Sequence, residues 1–148
     1  MLIRTNRFGM VDVDAERIIE FEGGILGFPE QRRYALIQTN DDPVFFWLQA
    51  VDEPSLAFVV CDPHAFVPDY QAPIRRDDVA QLGIDDLGDA QVLVIVNKAP
   101  GGLAVNLLGP LVVGASSRRG KQLVLSSKRY STRHPLPDFA PRAVSKTA

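Results

Sequence analysis

A thiol, an imidazole and a carboxylate lie within nine residues of one another near the middle of the chain. Cys61, His64 and Asp69 are residue types that a nucleophilic hydrolase uses. Such sites are usually assembled from distant parts of a sequence. Cys61 also ends an apolar run, where a free cysteine behaves as a small hydrophobic residue. We therefore expect structural roles for Cys61 and His64 and no catalytic residue, with a small hydrolase as the third hypothesis.

The sequence contains too few ligand residues for a metal site and no complete phosphate-binding motif. The chain has one cysteine and two histidines, His64 and His134, whereas zinc requires about four ligands of the Cys, His or acidic type. The stretch from Gly114 to Lys121 resembles a phosphate-binding loop. However, it has one residue too many between its glycines, and Gln122 stands where Ser or Thr would bind magnesium. We expect no metal and no cofactor.

A loop rich in proline, aromatic and acidic residues follows Cys61 directly, over residues 62–70. Prolines lower the entropic cost of holding a loop in one shape, and aromatic side chains make good interface anchors. The predicted partner-binding residues are Asp62, Phe66, Pro68, Asp69 and Tyr70. Alternatively, both aromatic side chains fold inward and cover the strands.

Basic residues concentrate towards the end of the chain. Residues 1–100 contain 17 acidic and 8 basic side chains, whereas residues 101–148 contain 8 basic and 1 acidic. Residues 118–133 hold most of these cations, together with Tyr130, and could grip RNA phosphates while the tyrosine stacks on a base. The alternative is a basic hairpin that pairs with the protein's own acidic surface. RNA binding is therefore the second hypothesis, and we expect no direct nucleic-acid partner.

Ten short runs rich in Val, Ile, Phe, Leu and Tyr supply the elements that must position these residues. Turn residues separate them at the spacing of an antiparallel barrel or sandwich. The predicted strands are Leu2–Phe8, Val11–Val13, Arg17–Phe21, Tyr34–Gln38, Val44–Ala50, Leu56–Val60, Gln91–Asn97, Leu103–Leu107, Leu111–Val113 and Lys121–Ser126. The predicted fold is all-β, an antiparallel β-barrel-like single domain with one or two short helical insertions.

Two of these runs are apolar at successive positions, which predicts that both of their faces are covered. Residues 44–48 and 92–96 show this pattern, and successive side chains of a strand point to opposite faces. The best helix candidate is Asp77–Leu82, with Asp77 or Asp78 as the cap and Gly83 as the stop. A second short turn is predicted to start at Asp86.

Glycine and proline mark the predicted structural turns, which are Gly24, Gly27, Pro63 and Gly120. We expect one domain over residues 1–137 and a flexible tail over residues 138–148, which has few apolar anchors. The first residues lack the apolar run of a signal peptide, and no stretch approaches 18 uncharged apolar residues. With one cysteine and no internal disulfide, a soluble cytoplasmic protein without a membrane partner is expected.

From about Ile3 to Leu136, the chain resembles the flagellar assembly factor FliW family. The motifs that carry the resemblance are IIEFxxGIxGF at residues 18–28, PxFFWLQAVDxPxLAFVV at 43–60, DPxxFxPDY at 62–70, VLVIV at 92–96, NLxGPLV at 106–112, RGKQ at 119–122 and YSTRHPL at 130–136. Each motif is short, but all of them in this order are specific. Cys61 and Gly109 depart from the usual residues of the family.

The resemblance implies a β-barrel-like fold and a non-enzymatic regulator that acts by protein–protein binding. It also implies that the protein binds the translational regulator CsrA and relieves its repression of flagellin mRNA. Flagellin is implied as a competing partner, so that the level of free flagellin sets translation. In this picture the protein docks beside the RNA site of CsrA.

Overall fold

Eleven strands, one α-helix and three short 3₁₀ helices form the part of the chain that the computed structural model describes, residues 1–39 and 44–136. The strands are β1 (Leu2–Thr5), β2 (Gly9–Asp12), β3 (Ile19–Phe21), β4 (Arg33–Ile37), β5 (Phe45–Ala50), β6 (Ala57–Cys61), β7 (Ala90–Ala99), β8 (Gly102–Val105), β9 (Leu111–Gly114), β10 (Arg119–Gln122) and β11 (His134–Pro135). The helix is α1 (Arg76–Leu82), and the 3₁₀ helices are Ala15–Arg17, Pro63–Ala65 and Leu87–Asp89.

Seven of these strands close a ring in the order β7–β6–β5–β4–β3–β10–β9, because β9 pairs back onto β7. The long strand β7 makes this possible, since Ala90–Leu93 pair with β9 while the following residues pair with β6 and β8. Among the described residues, every ladder is antiparallel except that between β3 and β10. The predicted β fold with short helical insertions is confirmed, although the sheet is mixed rather than purely antiparallel.

Alternating side chains of the ring strands fill its interior. The largest members of this core are Ile19, Phe21, Tyr34, Leu48 and Leu111, all buried. Phe21 and Tyr34 meet edge to face at 5.6 Å between ring centroids, a favourable aromatic geometry. The ring therefore surrounds a packed core.

A second cluster of apolar side chains lies on the outer face of the same strands, as the doubly apolar runs predict. In β7, Leu93 belongs to the core inside the ring, while its neighbour Val94 belongs to the outer cluster. Phe66, Val67 and Tyr70 of the loop after β6 pack on that outer face. This loop is therefore the cover that the sequence pattern requires.

The helical insertions occur where the sequence predicts them. Gly83 follows the last residue of α1 and adopts φ 65°, as predicted. The N-cap is Arg75 rather than Asp77 or Asp78, but Asp78 in the first turn accepts a hydrogen bond from the backbone N–H of Arg75 at 2.8 Å. The second insertion, Leu87–Asp89, begins after Asp86, whose side chain accepts from the N–H of Gly88. No helix among the described residues is long and apolar enough to cross a membrane.

Most predicted strands differ from the observed ones by one or two residues at an end, and two depart further for identifiable reasons. The predicted strand Leu2–Phe8 ends at Thr5, because the Thr5 hydroxyl accepts from the N–H of Phe8 and donates to the carbonyl of Gly9, which closes a turn. The predicted strand Lys121–Ser126 instead spans Arg119–Gln122. Its ladder stops opposite Pro110, which has no N–H to return a hydrogen bond.

Strand β11 was not predicted, because two residues that include a proline show no alternating pattern. The predicted flexible tail, residues 138–148, lies outside the described residues, and the domain bounds stay a prediction.

Candidate partner-binding surface

The loop Asp62–Tyr70 starts at the end of β6 and is fixed at once by a capped 3₁₀ helix. The side chain of Asp62 accepts a hydrogen bond from the backbone N–H of His64 at 2.9 Å. Pro63 occupies the first helical position, where its missing N–H costs nothing and its fixed φ suits the helix. The predicted turn residue Pro63 is therefore buried at the base of the loop.

His64 connects the two ends of this loop. Its Nδ1 lies 2.9 Å from Oδ1 of Asp62, and its Nε2 lies 2.9 Å from the backbone oxygen of Tyr70. Both ring nitrogens are thus occupied within the loop. This arrangement gives His64 a structural role.

Tyr70, one of the predicted contact residues, is buried at the far end of the loop. Its hydroxyl donates to the backbone oxygen of Leu107 at 2.7 Å. Burial, with a smaller contribution from nearby Tyr130, raises the pKa of Tyr70 to about 12. Tyr70 therefore follows the alternative in which the aromatic side chains fold inward. It supports the loop from beneath.

The other predicted contact residues lie nearer to solvent. Asp62 and Asp69 expose 63% and 70% of their side chains, and Pro68 is also exposed. Phe66 is half-buried and stacks on Phe45 with ring centroids 6.1 Å apart. The outward face of the loop is therefore polar and acidic, with part of one aromatic ring at its side.

The acidic loop and the basic segment, which the sequence treats as separate features, meet in the structure. Nη2 of Arg129 lies 2.6 Å from Oδ2 of Asp69. The next residue, Tyr130, packs on Tyr70 with ring centroids 4.8 Å apart, and its hydroxyl accepts from the N–H of Gln71. Sixty residues separate Asp69 from Arg129, so no local sequence signal reveals this contact.

Three cations of the basic segment are held by the protein itself. Nη2 of Arg118 donates to the backbone oxygen of Arg17 at 2.8 Å, and Nζ of Lys121 donates to Asp78 at 2.7 Å. Arg129 is the third, through Asp69. Burial and, to a lesser degree, the charge of Arg17 lower the pKa of Arg118. These contacts favour the hypothesis of a basic segment that pairs with the protein's own surface.

The geometry does not support a nucleophile at Cys61. Its side chain is buried, and burial together with the nearby charge of Asp62 raises the pKa of the thiol to about 12. The reactive form of a cysteine is the thiolate, which is scarce at neutral pH when the pKa is so high. No cluster of three metal-ligating side chains occurs within residues 1–39 and 44–136.

The three predicted turn glycines differ in what they do. Gly24 and Gly27 adopt φ 70° and 91° in the corner after β3. The prediction of a turn at Gly120 is wrong, because this residue lies inside β10. A Cβ at Gly120 would lie 2.5 Å from Cε1 of Phe21. Glycine therefore serves here to let a core ring approach the backbone.

Comparison with known proteins identifies relatives along nearly the whole chain. The model of the FliW protein family matches residues 2–136. The flagellar assembly factor FliW of Alkaliphilus metalliredigens is 41% identical over 90% of this chain and 85% of the relative. That of Heliobacterium modesticaldum is 39% identical over 92% and 90%. A crystal structure of a flagellar assembly factor FliW matches with a TM-score of 0.82 at 32% identity, over 90% of this chain and 95% of that one.

Proposed function

The chain belongs to the FliW family of flagellar assembly factors, and from this premise we propose that it acts in the cytoplasm by binding two proteins. The first partner is the translational regulator CsrA, whose repression of flagellin mRNA the chain relieves. The second is flagellin, which competes for the chain, so that free flagellin sets the rate of its own translation. The family consists of non-enzymatic assembly factors.

The outward face of the loop Asp62–Tyr70 is the observation that supports this proposal. An RNA-binding regulator must present basic surface, so a protein that docks beside its RNA site benefits from carboxylates. Asp62 and Asp69 offer such carboxylates to solvent. The capped turn, His64 and Tyr70 hold the loop in one shape, which lowers the entropic cost of docking.

Direct RNA binding has weaker support. Arg118, Lys121 and Arg129 already contact the protein's own oxygen atoms. Tyr130 is half-buried against Tyr70, so its ring is only partly available for stacking on a base. A single-stranded RNA arm belongs in the experiment as the competing hypothesis.

The test compares two exposed ion pairs whose carboxylates lie on either side of β6 in the chain. Asp69 pairs with Arg129, and Asp52 pairs with Arg33 at 2.8 Å. Asp52 lies in the turn before β6, whereas the acidic loop follows the end of β6. Asp69→Lys and Asp52→Lys therefore each break one exposed ion pair and change the charge equally, beyond opposite ends of β6.

Surface plasmon resonance with purified CsrA and with purified flagellin measures the outcome. We expect Asp69→Lys to lower the association rate with CsrA several-fold at low salt, because charges near an interface mainly steer association. Asp52→Lys should leave it unchanged. Equal rates for both variants, or no binding of either protein to the wild type, would contradict the proposal. Tight, salt-sensitive binding of the RNA would favour the competing hypothesis.

A further inference from the structure

After Gln122, the chain continues as an extended segment with one edge unpaired. The N–H of Leu123 donates to the carbonyl of Pro110, and the N–H of Leu125 donates to that of Leu108, both at 2.8 Å. Val124 and Ser126 alternate with these donors, and their N–H groups have no partner in the described part of the chain. We call residues 123–127 the open edge.

The neighbouring strand explains why this edge is open. β3 pairs with β10 at Arg119 and Gly120 and then ends. The chain leaves the sheet at a turn in which the N–H of Gly24 donates to the carbonyl of Phe21 at 2.8 Å. Nothing in the described residues replaces β3 beside residues 123–127. The ring therefore ends in an edge where another strand could pair.

There is room for a further strand beside this edge. A groove of about 1050 Å³ separates Val124 from Gly23, Gly24 and Leu26. A second groove of about 940 Å³ lies on the other side of the same residues, towards Val92. A strand lies about 4.8 Å from its neighbour, so an extended backbone fits in the space that β3 vacates.

The side chains at the open edge suit an extended partner with alternating residues. Leu123 points into the protein and is buried, whereas Val124 is 76% exposed. Leu26, on the opposite wall of the groove, is 74% exposed. Proteins usually protect such edges with charge, proline or a covering loop, and none of these covers Val124.

Charge decides which strand fits. Lys121 and Arg129 already pair with carboxylates of the protein, so Lys128 is the cation beside the open edge that has no ion pair within the described residues. The β3 side of the groove carries both signs, Glu20 and Glu22 with Arg32 and Arg119. Residues 121–129 contain no acidic residue, so a second copy of this chain pairing edge to edge would bring Lys128 no carboxylate. A segment with a carboxylate near Lys128 gains attraction instead.

We propose that the open edge binds an extended, acidic segment of a partner protein by strand addition. The N–H groups of Val124 and Ser126 donate to the partner's backbone carbonyls, an apolar side chain of the partner contacts Val124 and Leu26, and a partner carboxylate lies beside Lys128. Backbone hydrogen bonds supply the affinity and alternate side chains supply the specificity, as in other complexes of this kind. This surface adjoins the loop Asp62–Tyr70, since His64 and Tyr70 line the second groove, but it uses different residues, so the proposal does not depend on the identity of the partners named above.

Amide hydrogen exchange of the full chain with two synthetic peptides tests the proposal. One peptide is Glu-Thr-Val-Thr-Val-Thr-Glu, and the other has lysine at both ends. The acidic peptide at saturation should slow exchange at Val124 and Ser126 at least tenfold, and the lysine peptide should bind at least tenfold more weakly. Slow exchange of both amides in the chain alone would show that the edge is already occupied, and would overturn the proposal.

Proline substitutions separate backbone pairing from side-chain contact. Val124→Pro and Ser126→Pro remove donors that have no partner in the described residues, and proline is tolerated on an extended edge. Both variants should therefore keep the fold, and their affinity for the acidic peptide should fall at least tenfold. Val124→Thr and Ser126→Ala keep the donors and should bind it within about threefold of the wild type. If the proline variants misfold, the amide hydrogen exchange of the wild-type chain with the acidic peptide decides whether the proposal holds.

Three further outcomes would each overturn the proposal. The first is equal peptide affinity for the proline variants and their controls. The second is a concentration-dependent dimer in sedimentation that Val124→Pro abolishes, which would make a second copy the occupant. The third is protection of Val124 and Ser126 by a single-stranded RNA and not by the acidic peptide.

Discussion

The loop Asp62–Tyr70 and the loop Gly23–Pro29 both leave the ring, yet they are fixed by opposite means. In the first, side chains fix the loop: Asp62 caps a helical turn, His64 joins the two ends, and Tyr70 reaches into the core. In the second, the backbone fixes the loop through glycines with positive φ. Side chains that fasten a loop must point inward, which leaves polar groups outside.

The loop Gly23–Pro29, which we call the glycine loop, leaves apolar side chains outside instead. Its backbone turns at the glycines and Ile25 anchors it in the core, whereas its other two large side chains, Leu26 and Phe28, are exposed. The N–H of Leu26 donates to Oε1 of Gln122 at 2.7 Å, which keeps this loop beside the open edge. The comparison suggests that substitutions should affect the two loops in different ways.

Gly24→Ala should give the largest effect. A Cβ at Gly24 would lie 2.6 Å from both the carbonyl oxygen of Phe28 and Cα of Pro29, at φ 70°. Strain and overpacking together should lower the free energy of unfolding by about 3 kcal/mol. Gly27→Ala is the matched control, since its φ is 91° but nothing lies within 4 Å of the added Cβ, and it should cost about 1 kcal/mol. Urea denaturation measures the free energy of unfolding of both variants. Equal losses in the two would contradict the idea that the backbone at Gly24 fixes this loop.

Tyr70→Phe should destabilise the other loop by about 1–3 kcal/mol, because it leaves the carbonyl of Leu107 buried without this donor. The ring itself stays in place, so the effect isolates one hydrogen bond. Thermal unfolding with Tyr130→Phe as the comparison measures it. A loss no greater than that of Tyr130→Phe, whose hydroxyl is a weaker partner at 3.2 Å, would show that side chains do not fasten this loop.

Alkaline pH should destabilise the protein through the loop Asp62–Tyr70 and the adjacent Cys61. Burial raises the pKa values of Cys61 and Tyr70 to about 12 in the folded protein, so folding favours their neutral forms. Their contribution to stability is complete below pH 9 and is lost as the pH rises towards 12. The free energy of unfolding should fall by about 1–2 kcal/mol between pH 8 and pH 10.

Tyr34 complicates this titration, because burial raises its pKa to about 12 as well. Denaturation of Tyr70→Phe over the same pH range provides the control, and Tyr34→Phe provides the second. The variant Tyr70→Phe should show a shallower fall than the wild type. Identical slopes would mean that Tyr70 titrates equally in the folded and unfolded chains.

Leu26→Ser should have the smallest effect, within about 0.5 kcal/mol, because an exposed side chain away from the core contributes little to stability. Its melting temperature should match the wild type. A loss above 1 kcal/mol would indicate that the glycine loop depends on its side chains after all, and the contrast between the two loops would fail.

Hydrophobic patterning predicts most of this fold. Runs of β-forming residues between turn residues mark most of the ring strands, and the doubly apolar runs at residues 44–48 and 92–96 correctly indicate strands covered on both faces. The parallel pairing of β3 with β10 could not be predicted, because Glu20 and Arg119 are almost a hundred residues apart. Only the three-dimensional path of the chain determines that contact.

The site was less predictable than the fold for a related reason. Composition singles out the loop Asp62–Tyr70 and the basic segment, but the sequence contains no signal that joins Asp69 to Arg129. It also leaves the direction of each aromatic ring open, and the structure assigns Tyr70 to the interior. The docking roles of Asp62, Phe66, Pro68 and Asp69 stay predictions.

The closure of the ring through β10 also has a consequence during synthesis. β3 is made early, and its parallel partner follows about a hundred residues later. At ribosomal rates of about 5–20 residues per second, roughly 5–20 seconds pass between the two. Throughout this interval the nascent chain carries a strand edge that its own later residues must cover, which is when such edges join the wrong neighbour.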